Sequence, residues 1–335
     1  MKIKIFLIAI LLSCFEQDSG LGKDQDFFQI NIYRLSEKAV VISGTQFNTN
    51  QLALKSQKGI ILIDTGISPH YAAVIRDSLN DIFNTDTYAY IINTHHHWDH
   101  VQGNQVFKEA VIIGHQNIET AMRAQSTAAI GNSPVLQQIR KEGNIQPGQL
   151  PPPPSHILVD GTNGFKITPP SLNFWDRLKI DAGDLTLYLL WYGESHTDND
   201  IIIYCPEEAV LAVGDLFYKK SLPPFSQERD LDVPRWLHVL NWILDEKRPL
   251  KIIVPGHEDL FSRKDLNLYR NYIAILWEEI GKAVSNGHAL QKIQNKLDLK
   301  RRFPVLQKRD NIGNNGGSLH KGNVIAIWRQ RQKIR

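Results

Sequence analysis

The chain has 335 residues, of which 42% are hydrophobic and 22% are charged. This composition excludes a disordered chain and is typical of a globular protein with enough apolar material for a sizeable core. The formal net charge of +3 at pH 7 is too small to indicate a nucleic-acid-binding protein, so no nucleic-acid partner is expected.

Residues 1–20 have the pattern of an export signal. Two lysines precede the apolar run Ile5–Leu12, which is too short to span a bilayer. The following Leu11-Leu12-Ser13-Cys14 resembles the lipobox of bacterial lipoproteins. This resemblance implies cleavage before Cys14, lipidation of that cysteine and a periplasmic protein held at a membrane by its lipid anchor. A signal peptide removed without lipidation and a buried hydrophobic N-terminus are the alternatives.

The first part of the mature chain is predicted to be a strand meander. Strands are expected at Phe27–Tyr33, Ala39–Ile42 and Gln51–Lys55, because β-forming residues there are separated by polar or glycine-containing turns. The fully apolar Gly59–Ile63 predicts a buried strand that ends in Asp64-Thr65-Gly66. A polar residue is therefore expected where this strand meets its loop.

A helix over Tyr71–Phe83 and an apolar strand over Tyr88–Ile92 then lead to Thr94–His100. That stretch holds four histidines and an aspartate within seven residues. Imidazoles and carboxylates are ligands that zinc accepts, whereas structural zinc sites rely mostly on cysteine, which is nearly absent here. The stretch therefore predicts a catalytic metal site, and a histidine-rich turn without metal is the alternative.

Three later strands also end near a side chain that can bind metal. They are predicted at Leu185–Trp191, Ala209–Val213 and Leu250–Val254. Strand ends at the carboxyl edge of an α/β sheet converge on one site. The residues that follow these three strands are His196, Asp215 and His257. The remaining histidines outside the Thr94–His100 stretch are assigned to hydrogen-bonding or surface roles: His70, His115, His156, His238, His288 and His320.

The catalytic domain is assigned to residues 25–290. Within it, residues 126–168 predict a long loop with one helix at Val135–Lys141, which is either a binding loop or a surface insertion. Cys205 is expected in the core. Residues 291–335 are predicted to form a basic C-terminal extension that packs back on the domain.

The chain resembles the metallo-β-lactamase-fold superfamily in five motifs that occur in the family's order. They are Asp64-Thr65-Gly66, His95-x-His97-x-Asp99-His100, Ser195-His196-Thr197, Gly214-Asp215 and Pro255-Gly256-His257. The resemblance implies an α+β four-layer αββα sandwich, with two mixed β-sheets flanked by helices and metals at one edge. It also implies two Zn²⁺ ions, one on His95, His97 and His196, the second on Asp99, His100 and His257, with Asp215 bridging.

The resemblance also implies a reaction. Zinc lowers the pKa of bound water towards 7, so the expected step is attack of a metal-bound hydroxide on the carbonyl of a small ester, lactone, thioester or amide. Asp99 is expected to be the catalytic residue that orients the nucleophile, and Asp64 to orient a ligand imidazole. His96 is expected to point away from the metals, and Trp98 to pack at the rim of the site.

Two positions separate the branches of this superfamily. His97 argues against the redox flavodiiron members, which carry a glutamate there. Asp215 and Tyr218 stand where one branch of true β-lactamases has a cysteine and a lysine, which favours the glyoxalase II-like and lactonase-like hydrolases. A β-lactamase is the first alternative because Lys219 and Lys220 are adjacent. A phosphodiesterase or nuclease of the same fold and a non-catalytic binding protein follow, and no protein partner is predicted.

Overall fold

The computed structural model describes residues 30–44, 48–131, 164–223, 225, 231–310 and 318–334. Three predicted features lie outside the described residues: Cys14 with its export signal, His156, and the helix at Val135–Lys141. In the part of the chain that the structure describes, no helix combines the length and apolar character needed to cross a membrane.

The first β-sheet has seven strands in the order β1-β2-β3-β4-β5-β6-β7. The first four strands pair antiparallel, and β4 to β7 pair parallel, so the sheet is mixed. The strands are β1 Ile30–Arg34, β2 Ala39–Gly44, β3 Asn50–Ser56, β4 Gly59–Ile63, β5 Tyr88–Ile92, β6 Val111–His115 and β7 Leu172–Phe174.

The second β-sheet has five strands in the order β12-β11-β10-β9-β8. Its strands pair antiparallel except for the parallel pair of β11 and β12. The strands are β8 Arg177–Asp181, β9 Thr186–Trp191, β10 Ile201–Cys205, β11 Val210–Gly214 and β12 Ile252–Pro255.

The described α-helices lie between and after these strands. They are α1 Pro69–Phe83, α2 Trp98–Val101, α3 Ile118–Gly131, α4 Val233–Ile243, α5 Arg263–Ser285, α6 Leu290–Lys296, α7 Leu299–Arg302 and α8 Leu319–Lys333. Short 3-10 helices occupy Asn104–Phe107 and Pro304–Arg309. Helix α1 begins after Ser68, whose side chain accepts a hydrogen bond from the Tyr71 backbone N–H, as expected for an N-cap serine.

Successive side chains of a strand point to opposite faces of its sheet, so the apolar core is divided into three layers. In β2, Val41 packs between the two sheets, whereas Val40 and Ile42 pack against α1 on the outer side. In β10, Tyr204 faces α4 and α5 on the other outer side. The order of layers is therefore helix, sheet, sheet, helix, and the predicted αββα sandwich is confirmed.

The C-terminal extension belongs to the outer helical layer beside the second sheet. Ile293, Leu306 and Ile327 are buried in the same apolar cluster as Trp236 of α4 and Tyr272 of α5. The described part of the extension thus shares its core with the rest of the domain. Separately, Cys205 is buried as expected, and burial raises the pKa of its thiol to about 12.

Candidate metal centre

The structure brings all seven predicted ligand side chains together where β5, β9, β11 and β12 end. They fall into two groups, and in each group the donor atoms lie within 4.8 Å of one another. The first group is His95, His97, His196 and Asp215, and the second is Asp99, His100 and His257.

The first group places three imidazole nitrogens around one carboxylate. Nδ1 of His97 lies 3.0 Å from Nε2 of His95 and 3.0 Å from Nε2 of His196. Oδ2 of Asp215 lies 3.9 Å from Nε2 of His95 and 3.7 Å from Nε2 of His196. These are donor types that zinc takes in catalytic sites.

The second group shares that carboxylate. Nε2 of His257 lies 3.1 Å from Oδ2 of Asp99 and 3.4 Å from Oδ2 of Asp215. Nε2 of His100 lies 3.3 Å from the other oxygen of Asp215 and 3.8 Å from Oδ2 of Asp99. Asp215 therefore contacts histidines of both groups.

Asp64 and Thr94 fix how two of the histidines present their nitrogens. Oδ2 of Asp64 accepts the hydroxyl proton of Thr94 at 2.7 Å and lies 2.8 Å from Nδ1 of His100. The Thr94 oxygen, having donated to Asp64, accepts from Nδ1 of His95 at 3.0 Å. In both histidines Nδ1 thus holds its proton in a hydrogen bond, so Nε2 is the nitrogen left to face a metal.

The charges of the two groups differ. Burial lowers the pKa of His95 and His97 well below the usual value, and neighbouring imidazoles lower it further. Burial alone would also lower the pKa of His257, but Asp215 reverses the effect and raises it to about 10. His95 and His97 are therefore neutral, whereas the carboxylates beside His257 attract positive charge.

The chemistry of these donors fits metal ions. Nε2 of His100 and Oδ1 of Asp215 are buried and lie 3.3 Å apart, but neither makes a hydrogen bond of good geometry among the described residues. An unsatisfied buried polar group costs about 1–3 kcal/mol, and coordination of a cation by both atoms removes that cost. His95 and His97 already have the neutral imidazoles that metal binding requires, and at His100 and His257 a bound cation would take the place of the proton that Asp215 attracts.

Two residues at the metal centre have a left-handed backbone conformation, and one glycine there allows close packing. Asp64 has φ 59° and Glu258, next to His257, has φ 69°. Such left-handed non-glycine residues cost about 1–3 kcal/mol and cluster at functional sites. Gly256 is required by space, because a Cβ there would lie 2.1 Å from Oδ1 of Asp215 and 2.7 Å from Cε1 of His100.

His96 and Trp98 occupy places beside the donors. His96 is buried, and its Nδ1 accepts a hydrogen bond of 3.0 Å from the Asn199 side chain. It does not belong to either donor group; it connects the segment after β5 with the loop that carries His196. Trp98 is half-buried and packs against the apolar layer that contains α1.

The roles of Thr94, Asn199 and Gly256 at this centre were not predicted from the sequence. Thr94 could have been found, because a hydroxyl directly before the first ligand can meet a carboxylate from the neighbouring strand end. Asn199 gave no sequence signal, since its partner His96 lies 103 positions away.

The histidines assigned to other roles remain outside the donor groups where the structure describes them. His115 is buried, lies 3.0 Å from the Trp175 carbonyl and stacks on Trp191. His320 is also buried, with Nε2 2.7 Å from the Leu297 carbonyl. Both are hydrogen-bonded residues of the fold.

Comparison with known proteins adds a family match. A model described as the metallo-beta-lactamase superfamily matches residues 44–257, which is more than half of the chain. A metallo-beta-lactamase type 2 from Bacillus cereus is 22% identical over 221 residues, covering 66% of this chain and 71% of that protein. Metallo-beta-lactamase IND-1 from Chryseobacterium indologenes is 20% identical over 265 residues, covering 77% and 92%.

Solved structures share the fold. The stereoselective inverting sec-alkylsulfatase Pisa1 from Pseudomonas sp. superposes with a TM-score of 0.59 at 15% identity, covering 89% of this chain and 50% of that one. The chain thus spans about half the length of that sulfatase. The mono-zinc form of metallo-beta-lactamase FIM-1 from Pseudomonas aeruginosa gives a TM-score of 0.50 at 15% identity, covering 73% and 95%.

The matched residues 44–257 contain every side chain of the two donor groups. Together with the confirmed sandwich, this match shows that the chain belongs to the metallo-β-lactamase superfamily and is a metal-dependent hydrolase.

Proposed function

We propose that this protein is a dinuclear zinc hydrolase that breaks the bond between the carbonyl carbon and its leaving group in a small ester, lactone, thioester or amide. The observation that carries the proposal is the position of Asp215 between the two donor groups. Its carboxylate lies 3.7 Å from Nε2 of His196 in one group and 3.4 Å from Nε2 of His257 in the other. A shared carboxylate lets one site hold two cations close together.

The two groups would hold one Zn²⁺ ion each, with Asp215 contributing to both. When bound, the ions would supply Lewis acidity and a nucleophilic water ionised near neutral pH. This pair of effects suits attack on a carbonyl carbon, where negative charge develops on oxygen in the transition state.

Asp99 is placed to act on that nucleophile. It is half-buried in the first turn of α2, and its Oδ2 lies 3.1 Å from Nε2 of His257. Burial would raise the pKa of Asp99, but His100 and His257 lower it below the usual value. The ionised carboxylate can therefore accept a hydrogen bond from the attacking water and hold its orientation.

Tyr218 lies beside the two donor groups and adds no charge to the site. Its ring centre lies 6.3 Å from that of His257. Burial raises the pKa of its hydroxyl well above the ordinary value, and the Asp215 carboxylate adds to the shift. The protonated hydroxyl lies beside Asp215 and, unlike a lysine at this position, offers no positive charge to a substrate carboxylate.

Opening of β-lactam rings is the second candidate, because the relatives from Bacillus cereus and Chryseobacterium indologenes are named metallo-beta-lactamases. The adjacent lysines do not strengthen it. Nζ of Lys219 lies 3.7 Å from Asp265, and Nζ of Lys220 lies 3.0 Å from Asp259. Both lysines are thus engaged with carboxylates of this chain.

Metal analysis combined with a substrate panel tests the proposal. Protein purified without chelator is expected to contain two equivalents of zinc, and fewer than one would reject the dinuclear site. Asp215→Ala is expected to lose zinc, whereas Asp184→Ala, which removes a carboxylate paired with Lys38, is expected to keep it. Unchanged zinc content in Asp215→Ala would also reject the model.

The panel identifies the bond that is cleaved. Chelator-sensitive turnover of an ester, lactone, thioester or amide supports the proposal. Turnover confined to penams or carbapenems would replace it with the β-lactamase alternative. Cleavage of a bis-aryl phosphate alone would assign a phosphodiesterase.

We also propose export and lipidation at Cys14, supported by the Leu11-Leu12-Ser13-Cys14 pattern. The full chain expressed in a bacterium is expected in the membrane fraction with a lipidated N-terminal Cys14. Mass spectrometry of the mature N-terminus is the measurement, and Cys14→Ser is expected to lose the modification. An unmodified first residue other than Cys14 would reject the anchor.

A further inference from the structure

A groove of about 490 Å³ lies on the outer face of the second sheet. Strands β8 and β9 form its floor and α4 forms one wall. Arg177 pairs with Leu190 and Lys179 with Tyr188 in the antiparallel register. Residues directly opposite each other lie on the same face of a sheet, so these four side chains share the outer face. Their neighbours Leu178 and Leu189 face the layer between the sheets.

The floor of the groove is apolar and only partly covered. Tyr188, Leu190 and Trp242 are half-buried, although all three lie against the outer apolar cluster. The ring centres of Tyr188 and Trp242 are 5.8 Å apart. Val239 of α4 completes this surface. Two aromatic rings and two aliphatic side chains thus offer a contiguous contact area in the described structure.

Cationic side chains line both sides of the groove. Arg177 and Lys179 are exposed on β8, and Nζ of Lys179 lies 5.8 Å from the centre of the Tyr188 ring. Arg235 lines the opposite side, but its guanidinium contacts Asp176 and donates to the Trp191 carbonyl. Asp176, which also lies 3.9 Å from Nε of Arg177, is the one carboxylate among the described lining residues, so three cations against one carboxylate leave the groove positive.

A simpler explanation covers only part of this arrangement. Among the described strands, β8 is at the edge of its sheet, and exposed lysine or arginine on an edge strand protects against aggregation. That role accounts for Arg177 and Lys179. It does not account for a concave apolar floor beneath them, because an edge needs no groove to be protected.

We propose that the groove binds a small amphipathic organic anion. Its aliphatic body would lie on Tyr188, Leu190 and Trp242, and its carboxylate or sulfate would contact Arg177 and Lys179. The volume is within the range of roughly 300–1,000 Å³ that is usual for small-molecule sites, and such sites combine an apolar lining with a few placed polar groups.

This site is separate from the metal centre. None of the residues that line it belongs to either donor group. Its position on the outer face of the second sheet means that a ligand there does not need to contact the zinc ligands.

Binding of decanoate to the zinc-loaded protein, measured by isothermal titration calorimetry below the micellar concentration, tests the proposal. Decanoate is expected to bind at one site that Arg177→Glu or Lys179→Glu weakens at least tenfold. Lys264→Glu makes the same charge change on α5, outside the groove, and is expected to keep the wild-type affinity. Decyltrimethylammonium, with the same chain and opposite charge, is expected not to bind.

Several results would overturn the proposal. Equal affinity of Lys179→Glu and Lys264→Glu for decanoate would show that the cationic side chains of the groove do not bind the anion. Equal binding of decyltrimethylammonium would show that the groove does not select anions. Loss of decanoate binding in folded Asp215→Ala would place the ligand at the metal centre. Binding to anionic lipid vesicles without binding of free decanoate would assign the surface to a membrane. Melting temperatures of the variants establish that each is folded.

Discussion

Gly256→Ala tests whether the metal centre depends on space as well as on its donor atoms. The added Cβ would lie 2.1 Å from Oδ1 of Asp215. Real Cβ atoms keep at least 3.0 Å from such neighbours, so one side must move by about 1 Å. The backbone is held, because the Gly256 N–H donates to Gly214 and its carbonyl accepts from Asn50, both at 2.7 Å. The displacement therefore falls on the Asp215 carboxylate.

A shift of about 1 Å in a catalytic constellation can lower the rate about 100-fold. Asp215 contacts both donor groups, so we expect Gly256→Ala to lose at least this factor in kcat/KM and to bind zinc more weakly. Zinc content after dialysis, chelator competition and turnover of the substrate found in the panel measure the two effects. Circular dichroism and the melting temperature report whether the fold is retained.

Gly164→Ala is the matched control. Gly164 has φ +74°, which an alanine adopts with strain, but its Cβ would meet nothing within 4 Å. It is expected to cost some stability and to leave zinc content and kcat/KM unchanged. Wild-type zinc affinity and turnover in Gly256→Ala would refute the inference that this close approach sets the position of Asp215.

Three further predictions concern other parts of the molecule. Asp64→Ala is expected to weaken zinc binding about 10- to 100-fold, because it removes the acceptor that orients a ligand imidazole; unchanged affinity in chelator competition would contradict this role. His97→Ala is expected to lose zinc, whereas His96→Ala keeps most of it and loses about 1 kcal/mol of stability with its Asn199 hydrogen bond; equal zinc losses would show that His96 is a ligand. Burial lowers the pKa of His320 in the folded protein. As the pH falls, the unfolded chain therefore takes up a proton at His320 before the folded protein does. The contribution of His320 to the free energy of unfolding is complete above about pH 6.5 and is lost below it. Urea unfolding at pH 7.5 and pH 5 measures the loss, which is expected to be smaller in His320→Gln, and an equal loss would exclude His320 as its source.

The layers of this fold could be predicted because local runs of apolar residues indicate which strands are buried. The apolar run Gly59–Ile63 and the strand Tyr88–Ile92 were both predicted with the observed boundaries. Strand β1 was predicted to begin at Phe27 and is described from Ile30, since the residues before it lie outside the described part. The candidate ligands were predicted from the order of the family's motifs, and the resemblance to that family also implied which strand ends lie together.

The C-terminal part was harder to predict because polar residues of α8 face the core. The extension is predicted to pack back on the domain, but no helix is predicted over Leu319–Lys333, where the structure has α8. His320 and Asn323 are buried in it, so apolar periodicity marks only its middle. His96 lies outside both donor groups, but its burial could not be predicted, because the strand pattern ends at Ile92 and no longer fixes the direction of later side chains.

The hydrogen bonds of Asn323 have a consequence for how the nascent protein acquires its final form. Its side chain donates to the Pro223 carbonyl and accepts from the Phe225 N–H, a span of 100 and 98 positions. Pro223 and Phe225 follow the segment that carries Asp215 and Tyr218. Synthesis proceeds from the N-terminus, so these two contacts cannot form until Asn323 has been made, 100 positions after Pro223. The residues that follow the Asp215 segment thus gain these bonds only after every strand that carries a donor group has been made.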